Sequence, residues 1–444
     1  MNAQKANNTN EKVRQLQRKL YLAAKKNSKR KFHALYDKLN RIDILEEAWK
    51  RVKANRGTGG IDGISIKDVE NYGVEKLLSE IRHTLQQGSY QPKPVKRVLI
   101  PKADGKKRPL GIPIIRDRII QMAVKIVVEP VFEADFKESS YGFRPKRSAH
   151  QALEEVRKSC NNQGWWVVDA DIQGYFDSIK HDKLLKLVEM RINDRRILKL
   201  IRQWLKAGVM SDGKYEESII GSPQGGVISP LLANIYLNYL DVVWEKHGQT
   251  LGKLVRYADD FVIISRTRKD AEHALKLVKV VMQRLELTLH PEKTRLVSMW
   301  NGQEGFDFLG MHHRGFTMVA SGARKYQRTY QFPSKKAMKK MRAAVKAELA
   351  RRSVLKLDVK ELIERLNPKI RGWRNYYGLK TAKEWLKKID WYILQRFTVW
   401  YNKKKQKSYH YRRIKEVNKL LDNQGLLRLV EYTHAQGEEC RKAG

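Results

Sequence analysis

The stretch Leu254-Val255-Arg256-Tyr257-Ala258-Asp259-Asp260-Phe261-Val262-Ile263-Ile264 decides how this chain is read. Its ends are apolar and strand-forming, and its middle holds two adjacent carboxylates. The pattern predicts a β-hairpin with Tyr-Ala-Asp-Asp at its tip. Two carboxylates among apolar strand residues are costly to bury without a partner. Hard oxygen ligands suit a divalent cation such as Mg2+. A carboxylate pair carried on a turn is what two-metal phosphoryl chemistry needs.

A third carboxylate has to come from elsewhere. Trp165 to Ile172 reads as a strand, on which Asp169 and Asp171 point to the same face. Asp171 is the expected third ligand, because Tyr175 follows four residues later, placed to lie under a nucleotide sugar. Asp169 reads as a supporting or surface carboxylate, and Asp177 as a residue bonding local backbone.

Composition narrows the partner. The 444 residues include 90 Lys and Arg against 48 Asp and Glu, a formal charge of +42. Such a charge opposes folding by self-repulsion unless an anion offsets it, and nucleic acid is the expected anion. No apolar run approaches the roughly 20 residues of a membrane span. Residues Met1 to Thr9 have no signal-peptide core. Cys160 and Cys440 are too few for a zinc cluster or a disulfide framework. The expectation is a soluble cytoplasmic protein.

Along the chain, residues 1–35 form a basic arm with ten cations and one acid, read as solvated, as RNA-contacting, or both. Residues 36–135 alternate helix and short strand. Val98 to Lys102 and the segment opened by Lys106-Lys107-Arg108 form a hairpin turning at Asp104-Gly105, and Asp117 to Phe132 a buried helix. Over 136–330, Ser148 starts a helix, and further helices follow at about 182–206 and 229–246. The central hairpin comes next, then a helix capped by Asp270. From 331 to 410 the chain is helical, basic and aromatic, with its tryptophans and tyrosines expected mainly in a core. Residues 411–444 are a basic tail. The order of strand, helices, hairpin, helix and strand fits a split βαβ sheet with helices on one side.

These blocks together resemble one family. Asp171-Ile-Gln-Gly-Tyr-Phe-Asp177 with Tyr257-Ala-Asp-Asp260 is similar to motifs A and C of reverse transcriptases. Gly221-Ser-Pro-Gln-Gly-Gly-Val-Ile-Ser-Pro230 resembles their motif B. Tyr141-Gly-Phe-Arg-Pro145 resembles a block of group II intron reverse transcriptases, and Leu366-Asn-Pro-Lys-Ile-Arg-Gly-Trp373 with Asn375-Tyr376-Tyr377 their maturase signature. One such tetrapeptide recurs by chance; five blocks in the family's order, over about residues 36 to 410, do not.

The resemblance implies an α+β right-hand polymerase: fingers (36–135), a palm with a split βαβ-like antiparallel sheet (136–330), and an all-α thumb or maturase domain (331–410). It implies RNA-directed DNA synthesis with two Mg2+ ions, or Mn2+ in their place, held by Asp171, Asp259 and Asp260 with Ile172 beside them. Deoxynucleoside triphosphates, a DNA primer or target and group II intron RNA are the implied partners, with splicing and retrohoming the implied outcome.

Lys102 and Arg108 match residues that meet the triphosphate, as cations on a hairpin would. Tyr175 matches the aromatic that excludes a 2′-hydroxyl, and Phe176, Gln224 and Lys293 join it as nucleotide contacts. Gly225 and Gly226 would let nucleic acid approach the backbone. Arg144 would meet phosphate, or close an ion pair. Arg371 and Trp373 fall in the maturase signature. Lys403, Lys404 and Lys405 belong to a run of six cations without an acid over residues 401–413, expected to touch phosphate.

Many family members continue into a DNA-binding region and an endonuclease. Here only a short basic tail is expected and no endonuclease. Two rivals stay open at this level: a domesticated reverse transcriptase serving phage defence or repair, and a splicing factor without synthesis.

Overall fold

The structure is a computed structural model. It describes the backbone of residues 2–101, 107–211, 214–216, 221, 225–319, 325–406, 408 and 413–430, and their side chains except at 2–9, 108, 211, 214–216, 301 and 325. The architecture is mixed α+β, as the sequence implies. The chain forms two compact units that interleave in sequence. One comprises Met1–Ser148, Ala170–Phe261 and Glu272–Thr294; the other comprises Ala149–Asp169, Val262–Ala271 and Arg295–Gly444.

In the first unit, the basic arm contains a helix, Asn2–Lys26, most of whose described side chains are exposed or half-buried. Val13, Leu20 and Ala24 fall on one helical face and are buried. Gln17 donates to the Ile126 carbonyl (3.0 Å) and Lys25 to that of Ala134 (3.3 Å), fixing the arm to the helix Ile115–Glu133. That helix is buried on nearly every face, matching the expectation for 117–132. The expected basic hairpin is Val95–Pro101 paired antiparallel with Lys107–Ile112, Val98 facing Leu110.

The single helix expected at 182–206 is two, His181–Glu189 and Arg195–Lys206. Asp194 causes the break. One of its oxygens caps the second helix, accepting from the Arg196 N–H (3.1 Å), and the other accepts from Leu35 N (2.9 Å) and Tyr36 N (2.8 Å). Ser229–His247 is continuous, with Pro230 in its first turn, where the missing N–H costs nothing.

The central sheet has strand order Lys253–Tyr257, Asp260–Ser265, Trp166–Ala170, Arg295–Ser298. The last two run antiparallel with Asp169 facing Arg295. The helix after the hairpin spans Arg268–Arg284. Its cap is Thr267, not Asp270. The Thr267 hydroxyl accepts from Asp270 N (3.1 Å) and donates to Asp270 Oδ2 (2.6 Å), so Asp270 is the third-position partner of a capping pair.

The second unit adds a three-stranded antiparallel sheet, Gly305–Phe308, Met311–Val319 and Lys325–Pro333, and the helices Lys335–Leu349, Val359–Tyr377, Lys383–Lys404 and Arg413–Asn423. Leu366, Ile370, Leu386, Ile389 and Phe397 form their core. Most C-terminal aromatics pack there, as expected. Trp385 stacks on Phe332 at 3.7 Å, and buried Trp400 donates to the Val354 carbonyl at 3.0 Å. Cys160 is buried and unbridged, its thiol pushed up to about 12 by burial; Cys440 lies outside the described residues.

His313 gives this unit a pH dependence. It is fully buried and stacked on Phe306 at 4.7 Å. Burial pushes its pKa down to about 3, His312 adds to the shift and Asp307 opposes it. The unfolded imidazole titrates near 6.5, so the contribution of neutral His313 is complete above that pH. It is lost as the pH falls toward about 3, with a slope approaching about 1.4 kcal/mol per pH unit. Urea unfolding at a series of pH values should show that slope in the native chain and lose it in His313→Leu. Equal slopes would mean that another group is responsible.

Candidate active site

The tip of the hairpin is held from beneath by a single buried side chain. Arg256 has no exposed surface, and all five of its N–H donors are met. Nε donates to Asp241 Oδ1 (2.9 Å) and Nη2 to Asp241 Oδ2 (2.5 Å) and Ser140 Oγ (2.7 Å). Nη1 donates to Asn234 Oδ1 (3.1 Å) and to the carbonyl of Ala258 (2.8 Å), inside the turn itself. Both partners of the Arg256–Asp241 pair are fully buried. Such a pair is tolerated only because its remaining hydrogen bonds are satisfied.

The turn needs this hold. Ala258 has φ of +59°, in the left-handed region that side chains disfavour. The Tyr-Gly-Phe-Arg block packs against it. Tyr141 N donates to Arg256 O (2.8 Å) and Arg256 N to Ser139 O (2.7 Å). A Cβ on Gly142 would stand 2.3 Å from Ala258 N, so only glycine fits. Asn234 donates to the Gly142 carbonyl at 2.7 Å. Asp259 is then half-buried and Asp260 exposed at the strand start.

Asp171 lies one residue beyond its strand, which ends at Ala170. Its segment runs beside 288–290: the Asp171 carbonyl accepts from His290 N (2.8 Å), Ile172 bridges Leu289, and Gln173 N donates to Thr288 O (2.9 Å). The Asp171 carboxylate accepts from Lys293 Nζ at 2.6 Å. Asp169 instead faces Arg295, with Nε 3.3 Å from Oδ2.

Tyr175 is not the open sugar platform that its position suggested. It is 3% exposed, and its hydroxyl donates to the Ala233 carbonyl at 2.5 Å. Burial raises its pKa well above the usual tyrosine value; Arg256 opposes the shift and Asp259 adds to it. The ring is therefore internal packing, within electrostatic reach of both Arg256 and Asp259. Phe176 stands edge-on to it at 5.4 Å.

The glycine-rich loop is anchored where it is described. Gly225 has φ of +114°, and a Cβ there would lie 2.5 Å from Gly111 O, against the basic hairpin. Val227 N donates to Gln121 Oε1 at 2.9 Å. Gly226 is buried. Lys102 and Gln224 lie outside the described residues, as does the Arg108 side chain, although the Arg108 backbone pairs with Ile100.

Arg144 turns inward. Its guanidinium pairs with Glu133 (2.7 Å) and donates to the Lys137 (2.6 Å) and Ser140 (2.7 Å) carbonyls. The geometry favours the ion-pair alternative over a phosphate contact. Arg371 is exposed and Trp373 half-buried against the helical core. Lys403 and Lys405 are exposed, whereas Lys404 bonds the Leu357 carbonyl and lies 5.3 Å over the Trp400 ring.

Among the described residues, no three His, Cys, Asp or Glu side chains come close enough to hold an ion. The donor chemistry nevertheless fits a hard divalent cation, being wholly carboxylate. Asp171 already accepts one cation, the Lys293 ammonium.

Comparison with known proteins identifies the setting of these residues. Residues 100–313 match the family described as reverse transcriptase (RNA-dependent DNA polymerase), and residues 338–418 match the group II intron, maturase-specific domain. Protein YkfC of Escherichia coli (strain K12) is 35% identical over 336 residues, 67% of this chain and 87% of that protein. Group II intron-encoded protein LtrA of Lactococcus lactis subsp. cremoris is 31% identical over 430 residues, 78% of this chain and 71% of LtrA. The chain belongs to the group II intron-encoded reverse transcriptase and maturase family. A further relative is the uncharacterized 91 kDa protein in the cob intron of Schizosaccharomyces pombe, 30% identical, with 77% of this chain covering 50% of that protein. In this reverse transcriptase and maturase chain, the Tyr-Ala-Asp-Asp turn and the glycine-rich loop fall in the first matched region, and the Asn-Pro-Lys-Ile-Arg-Gly-Trp block in the second.

Sequence reading missed Arg256, Asp241, Asn234 and Gln121 as site residues. The signal was present: each is a polar group inside an apolar strand or helix face. Nothing local says that they meet.

Proposed function

We propose that this chain is an active RNA-directed DNA polymerase that also binds its intron RNA, promoting splicing and retrohoming, in the cytoplasm. The observation that carries the reading is the Asp259-Asp260 turn, held by Arg256 at the start of a strand that neighbours the strand leading to Asp171. Asp171, Asp259 and Asp260, with the main chain of Ile172, would hold Mg2+. Bound there, the ions supply activation of the primer hydroxyl and neutralisation of the leaving pyrophosphate.

The protein's own groups do the positioning. The clamp fixes where the Asp259 and Asp260 carboxylates point. Gly225, pressed on the basic hairpin, leaves backbone open to close approach by template or nucleotide. Phe176, rather than Tyr175, keeps the nucleotide-contact assignment, because the Tyr175 hydroxyl is committed to Ala233. Arg371, Trp373, Lys403 and Lys405 contribute to RNA contact.

The reading predicts that purified protein extends a DNA primer on an RNA template with deoxynucleotides and Mg2+, and stops when a chelator is added. RNA binding without extension would overturn it and favour the splicing-factor rival.

Lys293 supplies a finer test. Its ammonium competes with metal for Asp171, and it is 61% exposed, so its loss should leave the fold intact. Lys293→Met is expected to lower the Mg2+ concentration for half-maximal rate by about two- to tenfold, a modest electrostatic effect. An unchanged Mg2+ titration would remove the competition.

A further inference from the structure

Among the C-terminal tryptophans, Trp391 is set apart. Trp400 is 3% exposed and Trp385 is stacked on Phe332, whereas Trp391 is 42% exposed. It lies on the helix Lys383–Lys404, whose core-facing residues are Leu386, Ile389, Ile393 and Phe397. Glu384, Lys387, Lys388 and Trp391 recur at helical spacing on the other side, and Tyr392, half-buried against the core, borders them. With Arg342 from the helix Lys335–Leu349 they line an open groove of about 420 Å3. That volume is within the range of about 300–1,000 Å3 typical of ligand sites.

The chemistry of the groove is specific. Three cations, Arg342, Lys387 and Lys388, line the groove together with the partly exposed Trp391 ring. The acid present, Glu384, is bonded to Lys387 at 2.9 Å. Both members of that pair are well exposed, so the pair is weak and Lys387 can exchange the carboxylate for a phosphate. A stacking platform ringed by cations is how single-stranded nucleic acid is held. A duplex does not offer a base face to such a platform, whereas an unpaired nucleotide does. The lining residues all lie within the stretch matching the maturase-specific domain.

We propose that this groove binds one unpaired nucleotide of RNA, its base stacked on Trp391 and its flanking phosphates on Arg342, Lys387 and Lys388. The proposal rests on the reading that the chain is an RNA-binding reverse transcriptase, and it names a contact separate from the catalytic turn.

The test first saturates the protein with a primer–template duplex and then adds a labelled single-stranded RNA 12-mer carrying 4-thiouridine. The native chain should bind this second RNA and crosslink within the peptide containing Trp391. Trp391→Ala should weaken that binding by about tenfold or more, and Trp391→Phe should retain most of it. Lys388→Ala should reduce the log–log salt slope by about one unit. Primer extension on the short duplex should be unchanged in all three. If Trp391→Ala binds the 12-mer like the native chain, or if a polyglutamate peptide displaces the RNA equally well, the nucleotide site is wrong. If the native chain extends primers but takes up no second RNA, the groove proposal fails while the polymerase reading stands. If it neither extends primers nor binds RNA, the underlying reading fails.

Discussion

Asp259→Asn and Asp260→Asn are each expected to abolish primer extension, with the rate falling at least about a thousandfold, while RNA binding persists. Asparagine preserves the size of the side chain and one carbonyl oxygen, so the change removes charge and little else. The turn should keep its shape, because what holds it is the contact of Arg256 with the Ala258 carbonyl and the close fit of Gly142, neither of which involves these carboxylates. Stability should therefore move little, and the melting curve separates lost chemistry from lost fold. Asp169→Asn is the matched control. Asp169 faces Arg295 across the strand pair and should leave synthesis within a few-fold of native. Single-turnover extension with saturating deoxynucleotide measures all three. Sustained synthesis by both turn variants would refute the assignment of the metal ligands.

How far the sequence carried the fold depends on the range of the interaction involved. The hairpin around Asp259, the buried helix at 115–133 and the helix at 229–247 were legible, because apolar periodicity and turn residues are local signals. The break at 190–194 was not. Asp194 reads as an ordinary charge until Leu35 and Tyr36, some 160 residues earlier, bring two N–H groups to it. The cap at Asp270 was misplaced by three residues, because both threonine and aspartate cap helices and both belong to the capping pair. Tyr175 shows the same limit at the site. Its spacing from Asp171 suggested a surface role, but the carbonyl that takes its hydroxyl comes from Ala233, on a different helix. Trp391 was grouped with core aromatics, since helical spacing alone does not tell an inner face from an outer one where both carry tryptophan.

The Arg256 clamp is where range matters most, because Ser140 from one segment and Asn234 and Asp241 from the helix Ser229–His247 meet one guanidinium. Arg256→Met leaves Asp241 buried with no counter-charge. Breaking such a pair costs about 3–5 kcal/mol, which should lower the melting temperature by roughly 10 °C. That result alone would not distinguish a stabilising residue from one that aims the turn. The double variant Arg256→Met, Asp241→Leu does. With both charges gone and apolar volume in their place, most of the lost stability should return. The Ala258 carbonyl still lacks its donor, and Ala258 still has to hold a left-handed conformation that costs on the order of 1–2 kcal/mol. The turn then samples other shapes, and the Asp259 and Asp260 carboxylates spend less time aimed together. The double variant is accordingly expected to melt near the native temperature and still extend primers about tenfold or more slowly, a loss consistent with small misplacements of reacting groups. The deficit should lie in the maximal rate and in the Mg2+ dependence, with template affinity unchanged. A double variant that recovers both stability and rate would reduce Arg256 to a structural ion pair. One that recovers stability alone would make it the residue through which the Tyr-Gly-Phe-Arg block and the helix Ser229–His247 set the geometry of the catalytic turn.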